Sequence, residues 1–474
     1  MFNQLDSIFL KAIEHNIDAN VDPCDDFYRH SCDVNKPVNE TLINLANEMY
    51  LAVINNLTLT DNFELGNRLE ANDSSIILLK VLLDNNQTEN IQKIADDFFE
   101  SCTHRNKTNM KYILKTLQKT FKMMKFTNLI YDTNCRRSSE QLSKKLEKVW
   151  YDEIQSSKNS FNLSVKTNFV RSHAWMKNNI NLMFEHEDYM EEFKTEIERL
   201  MKITPWVEKS DTERYFKELL EITKFSVDVY PRGEFRNFEY FNETLSECQS
   251  KYKLKSMNIL CFIEHTHEFS DRINEFNAMN WVPDISFLHG MLYIYGLSNY
   301  PGLLYGASGT TLGHELGHSF VKSSHDEYFV PYFPSSFKSC VQEQFDRTCS
   351  YYKEKECRTV DSQFDENGSD IFGTKLAFDL MKKKFGDKMN EVLEGSRYNL
   401  TNAEVFFYAN NFFACSREPS ALLRRDSHHA PNARINAASV QVPEFQRVFG
   451  CDNNSRMMKS KTKQCILFGE DASD

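Results

Sequence analysis

The chain has 474 residues, of which 41% are hydrophobic and 13% aromatic, with 37 Phe among them. That composition builds packed cores and excludes long disorder, and the length allows roughly two to four domains. A formal charge of -12 and a pI near 5.6 disfavour nucleic acid as a partner. No run of about eighteen apolar residues occurs, so no membrane span is expected.

Residues 1–15 read MFNQLDSIFLKAIEH. They lack a basic n-region and an apolar h-region, so they are not a signal peptide. Twelve cysteines, an even number, nevertheless suggest disulfides and an oxidising compartment. Ten Asn-x-Ser/Thr sequons point the same way, at Asn39, Asn56, Asn72, Asn86, Asn106, Asn162, Asn242, Asn367, Asn399 and Asn453. We therefore expect an extracellular protein, secreted or at the cell surface, whose export signal is missing from this chain. Residues 73–224 show helical periodicity, with apolar residues three and four apart and charges between them. They carry no catalytic constellation and predict a helical lobe with solvated faces.

The texture changes near Asn277. Residues 287–297, FLHGMLYIYGL, are aromatic and β-branched and predict a strand. The following YPGLLYGASG, punctuated by Pro301, Gly302, Gly306 and Gly309, reads as a loop. Helical spacing resumes in TTLGHELGHSFVKSS, in residues 370–385 and in AEVFFYANNFFACS.

The first of these helices carries HELGH. His314 and His318 are four apart, so on a helix both imidazoles lie on one face within reach of one metal ion. Glu315 beside them can take a proton from metal-activated water. A catalytic zinc needs a third protein ligand and one open position. Downstream, ENGSD places Glu366 and Asp370 four apart. Glu366 can be the third ligand, and Asp370, one turn on, can accept a hydrogen bond from a ligand histidine and fix its orientation. Further on, DSHHAPNAR offers a histidine near Asp426 as an oxyanion donor and Arg434 as a bidentate substrate contact. A polar surface loop is the plainer reading of that segment.

These residues resemble the neprilysin and endothelin-converting-enzyme family of zinc metallopeptidases. In that family HExxH is followed by ExxxD and then by a D-x-H ending six residues before an Arg. The positions here are His314, Glu315, His318, Glu366, Asp370, Asp426, His428 and Arg434, and the interval selects His428 over His429. NAMN, with Asn277 and Ala278, resembles the family's substrate-backbone segment, and DPCDDFYRHSC its opening signature. The resemblance implies bridges Cys24–Cys451, Cys32–Cys415 and Cys340–Cys465 and, more weakly, Cys102–Cys248; Cys349 and Cys357 are near enough in sequence to form a local bridge. The chain departs from the pattern in several places. Met279 and Asn280 stand for two aromatics, and Ser319, Phe320, Val321 and Lys322 for Gly-Phe-Asp-Asp. Ala414 stands for a Trp, Cys465 to Phe468 replace a closing Cys-x-x-Trp, and the middle region is much shorter.

The expected fold is mainly α with a small sheet (α+β) and two-lobed, with a thermolysin-like zinc peptidase lobe and a helical second lobe. Residues 1–45 would pack on the catalytic lobe, 46–265 form the helical lobe, and 266–474 the catalytic domain. The implied activity is a zinc endopeptidase holding one Zn2+ per chain on His314, His318 and Glu366. Glu315 would be the base, and His428, held by Asp426, with Arg434 would face the oxyanion. Peptide substrates would pair with Asn277 and Ala278. Met291, Leu292, Thr310, Thr311, Phe413 and Ala414 would line the site for the residue after the cut, favouring cleavage on the amino side of hydrophobic residues. The longer peptides expected to enter follow from the shortened middle region. Two rivals remain: an inactive peptide-binding relative, and a structural zinc site, which would favour four closed, Cys-rich ligands.

Overall fold

Helix dominates the computed structural model, which describes residues 2–33, 87–120, 134–150, 180–207, 212–228, 278–281, 284–288, 300–321, 333–351, 361–412, 414–415 and 428–473. The chain divides into two compact units. One gathers residues 1–49, 181–227 and 276–474; the other holds 50–180 and 228–275.

The first helices, α1 (Phe2–Asn16) and α2 (Phe27–Ser31), belong to the larger unit. Asp26 caps α2 by accepting a hydrogen bond from the Arg29 amide, satisfying a donor that the helix start leaves open. Phe27 is fully buried among Phe407, Tyr408, Phe445 and Phe449. Disulfides Cys24–Cys451 and Cys32–Cys415 fasten this segment to the carboxy-terminal part, and Cys340–Cys465 closes a third loop, all as the resemblance implies.

In the smaller unit lie α3 (Gln87–Thr103), α4 (Lys107–Thr120) and α5 (Cys135–Trp150). Their apolar stripes supply a core that includes Ile94, Phe98, Ile113, Leu117, Leu142 and Leu146. Cys102 pairs with Cys135, not with Cys248. The partners are 33 residues apart at facing helix ends, a proximity that spacing in sequence does not encode.

Helices α6 (Ile180–Lys202) and α7 (Thr212–Ile222) fall inside the span expected for the helical lobe, yet residues 181–227 cluster with the larger unit. The reason is aromatic packing. Trp206 stacks on Phe468 at 5.7 Å, and Phe216 meets Phe320 edge-on at 5.0 Å. The small sheet has strands β1 (Lys224–Asp228), β2 (Ala278–Trp281) and β3 (Asp284–Leu288) in the order β1-β3-β2. Among the described residues β2 is the last strand of this sheet, antiparallel to β3, with Ala278 opposite Phe287 and Asn280 opposite Ile285. The strand expected over 287–297 thus begins earlier, and residues 289–299 lie outside those described.

YPGLLYGASG is not a loop. Pro301–Leu303 form a helical turn, Leu304–Gly309 a π-turn, and both run into α8 (Thr310–Phe320). The glycines serve packing rather than turning: a Cβ on Gly302 would meet the Asn402 carbonyl carbon at 3.0 Å, and one on Gly306 the Phe406 Cα at 2.7 Å. Helices α9 (Ser335–Tyr351), α10 (Asp361–Phe385), α11 (Asn402–Phe412), α12 (Pro431–Gln441), α13 (Pro443–Val448) and α14 (Arg456–Ser460) follow, with a 3-10 turn at Gly386–Asn390 between α10 and α11. α10 starts nine residues before the predicted 370, so ENGSD lies within the helix, not at its start. No helix among the described residues is long and apolar enough to cross a membrane.

Candidate metal centre and active site

Two helices build the centre, and glycine sets their distance. α8 carries HELGH and α10 carries ENGSD. A Cβ added to Gly313 would lie 2.8 Å from the Gly373 Cα, one on Gly373 2.6 Å from the Gly313 carbonyl carbon, and one on Gly317 3.0 Å from the Ser369 Cα. The two backbones therefore touch, as only residues without a Cβ permit. That approach brings the side chains of α10 against the histidines of α8.

The ligand atoms converge. His314 Nε2 lies 3.0 Å from His318 Nε2 and 3.3 Å from Glu366 Oε2, and His318 Nε2 lies 3.7 Å from Glu366 Oε1. One ligand atom from each residue falls within 4.8 Å of the others. A tetrahedral zinc with ligands at about 2.0–2.1 Å needs ligand–ligand separations of about 3.3 Å. The three residues fit that ion, and no fourth His, Cys, Asp or Glu among the described residues joins the group.

The remaining imidazole nitrogens are held as well. His314 Nδ1 is 2.9 Å from Asp370 Oδ1, which turns Nε2 toward the metal position. His318 Nδ1 is 3.3 Å from Ser369 Oγ. Arg434 grips Asp370 with two hydrogen bonds of 2.6 and 2.7 Å, and its guanidinium is 3.7 Å from Glu366. Arg434, Asp370 and His314 thus form a continuous chain behind the ligand set.

Charge follows geometry. Burial opposes ionisation of Asp370, but Arg434 and His314 outweigh it and hold this carboxyl well below the usual range. Glu366 is held low in the same way, its burial overcome by hydrogen bonds from His314 and His428. His314 is raised to about 10, because Asp370 and Glu366 outweigh burial. His318 is lowered to about 3 by burial and by the neighbouring His314 charge. Burial, reinforced by Glu366, pushes the Glu315 carboxyl up to about 7 against the pull of His314.

Of the two adjacent histidines, His428 faces the centre, its Nε2 3.0 Å from Glu366 Oε2 and its side chain 40% exposed. His429 is buried and packs against Phe345 at 5.1 Å. Ala278 sits on β2. Thr310 and Thr311 donate their hydroxyls to the backbone carbonyls of Gly306 and Ala307. Asp426, Asn277, Met291, Leu292 and Phe413 lie outside the described residues. Sequence reasoning missed Ser369, although it stands three residues after Glu366 and so shares its helix face. It also missed Gly313, Gly317 and Gly373, whose spacing along two helices was the available signal.

Residues 284–465 match the model of peptidase family M13. Neprilysin-3 of Drosophila melanogaster is 25% identical over 192 residues, 37% of this chain and 23% of that protein, so the match spans under a quarter of the relative. Among solved structures, the Haemonchus galactose containing glycoprotein complex shares the fold, with a TM-score of 0.53 and 12% identity across 97% of this chain and 98% of that one. The Mycobacterium tuberculosis zinc metalloprotease Zmp1 in complex with an inhibitor aligns over 95% of this chain and 98% of its own, at 11% identity and a TM-score of 0.45.

Proposed function

We propose, for a chain that belongs through its residues 284–465 to the neprilysin-type peptidase family M13, a zinc-dependent endopeptidase that cuts oligopeptides on the amino side of hydrophobic residues. The observation that carries the reading is the convergence of His314, His318 and Glu366, with Glu315 buried on the same helix turn. Zinc, when bound there, supplies a Lewis acid that polarises the scissile carbonyl and acidifies water.

The chain's own residues do the rest. Glu315 takes the proton of the attacking water and delivers it to the leaving amine; its burial favours both directions of that transfer near neutral pH. His428 and Arg434 face the oxygen on which negative charge develops. Asp370 orients His314, and Asp426 is assigned to His428. Asn277 and Ala278 bind the substrate backbone as a strand added to the sheet edge. The hydroxyls of Thr310 and Thr311 are already bonded to backbone, which supports an apolar subsite for the residue after the cut.

The inactive-relative reading is less well supported, since base and ligands are all present. A structural zinc site fares no better: no cysteine among the described residues is free to serve as a ligand. Four disulfides among those residues support work outside the cytosol. The test is a peptide library of graded length, cut by zinc-loaded protein and read by mass spectrometry. Cuts before large apolar residues are expected; cuts predominantly before charged residues contradict the subsite, and no zinc-dependent cutting contradicts the reading itself.

A further inference from the structure

One side chain joins strand β2 to helix α8. The Asn280 amide nitrogen donates to the Glu315 backbone carbonyl at 2.5 Å and to Ser319 Oγ at 2.8 Å. Residues 315 and 319 are one turn apart, so both acceptors face the same strand. An amide nitrogen has two hydrogens, and both are committed here. The first bond ends on main chain, so it fixes where the backbone of Glu315 stands relative to β2 whatever rotamer the Glu315 side chain adopts.

β2 has β3 on one side and no strand among the described residues on the other. A peptide that pairs with β2, as the proposed function has it, takes its position from that strand, whereas the carboxylate that must meet its scissile bond takes its position from α8. Their separation decides whether a bound peptide is aligned for attack, and a misplacement of about 1 Å costs on the order of a hundredfold in rate. The Asn280 bonds span that separation directly. From this we infer that Asn280 and Ser319 form a tether that holds β2 in register with Glu315, making Asn280 a positioning residue for peptides that pair with the strand. The inference rests on the function proposed above.

A residue that only supported the fold would affect every substrate alike. The tether acts on substrates that reach β2 and leaves those that do not. The test uses zinc-loaded Asn280→Leu, Asn280→Asp and Ser319→Ala with two probes: a fluorogenic peptide of about ten residues, and a blocked dipeptide too short to pair with the strand. Leu removes both bonds, Asp cannot donate them, and Ala at 319 leaves the bond to the Glu315 carbonyl in place. On the long peptide, kcat should fall about tenfold or more in both Asn280 variants, with KM within about twofold, and less in Ser319→Ala. On the dipeptide all three should stay within about twofold of the parent, and zinc content should not change. If Asn280→Leu does not fold, Asn280→Asp and Ser319→Ala decide the matter. Parent-like kcat on the long peptide, or equal losses on both probes, would overturn the tether alone. A zinc-loaded parent protein that cuts neither probe would overturn the functional reading and the tether together.

Discussion

Gly373→Ala tests whether backbone contact between α8 and α10 sets the metal geometry. Two effects of known size compete. By helix propensity, Ala in place of an interior glycine stabilises by about 1 kcal/mol. By packing, the new Cβ would lie 2.6 Å from the Gly313 carbonyl carbon and 2.8 Å from the His314 Cα, against the 3.4 Å at which ordinary contact begins. The obstacle is backbone, which cannot swing aside as a side chain would. The His314 backbone nitrogen is closer still, so the helices must part by about 1 Å, and overpacking of this kind costs about 1–3 kcal/mol or more. Packing therefore wins. The same movement carries Glu366 and Asp370 away from His314, now 3.3 and 2.9 Å distant, so zinc affinity should drop about 10–100-fold, as when a supporting contact of a metal ligand is lost. Urea melts and chelator competition on parent and variant measure both quantities. A variant with a raised melting midpoint and parent-like zinc affinity would refute the reasoning.

Three further outcomes are expected. His314 is raised to about 10, above its ordinary 6.5, so metal-free protein carries a proton there at pH 7, and a ligand imidazole must lose it. Zinc binding should therefore release about one proton at pH 7–8 and tighten as pH rises toward 10; calorimetry in buffers of different ionisation heat that finds no release contradicts the ligand set. Secreted protein should carry glycans at the exposed sequons Asn106, Asn399 and Asn453 and none at Asn367, which is fully buried in α10; an occupied Asn367 in active protein, found by glycosidase mass mapping, contradicts that helix. Cys24–Cys451 closes a loop of 427 residues, so Cys24→Ser with Cys451→Ser should lower stability by about 2–5 kcal/mol, and an unchanged denaturation midpoint contradicts that staple.

The metal centre was legible because its chemistry is written in short helical spacings. HELGH puts two imidazoles on one face, and ENGSD puts a ligand and its partner on another. What joins the two motifs was not legible. Glycine read locally means a turn, and on that ground Gly302 and Gly306 suggested a loop; only the course of α11 shows that they admit another backbone. Periodicity identified the helices of residues 180–222 but not the unit they join, since that depends on Trp206 and Phe216 meeting Phe468 and Phe320 far along the chain. Asn280 and Ser319 registered separately, as departures from the family pattern. Their hydrogen bond makes them one feature, and a pairing across 39 residues leaves no periodic trace. Cys102 and Cys135 were missed for the same reason.

Glu315→Gln tests the central claim most directly, read as zinc content and peptide cleavage on one preparation. Gln keeps the shape of the side chain and cannot accept the water's proton, while His314, His318 and Glu366 are untouched. The account predicts one zinc per chain in parent and variant alike, with turnover in the variant lower by about a hundredfold or more. Near-normal turnover by Glu315→Gln at full zinc occupancy would contradict it.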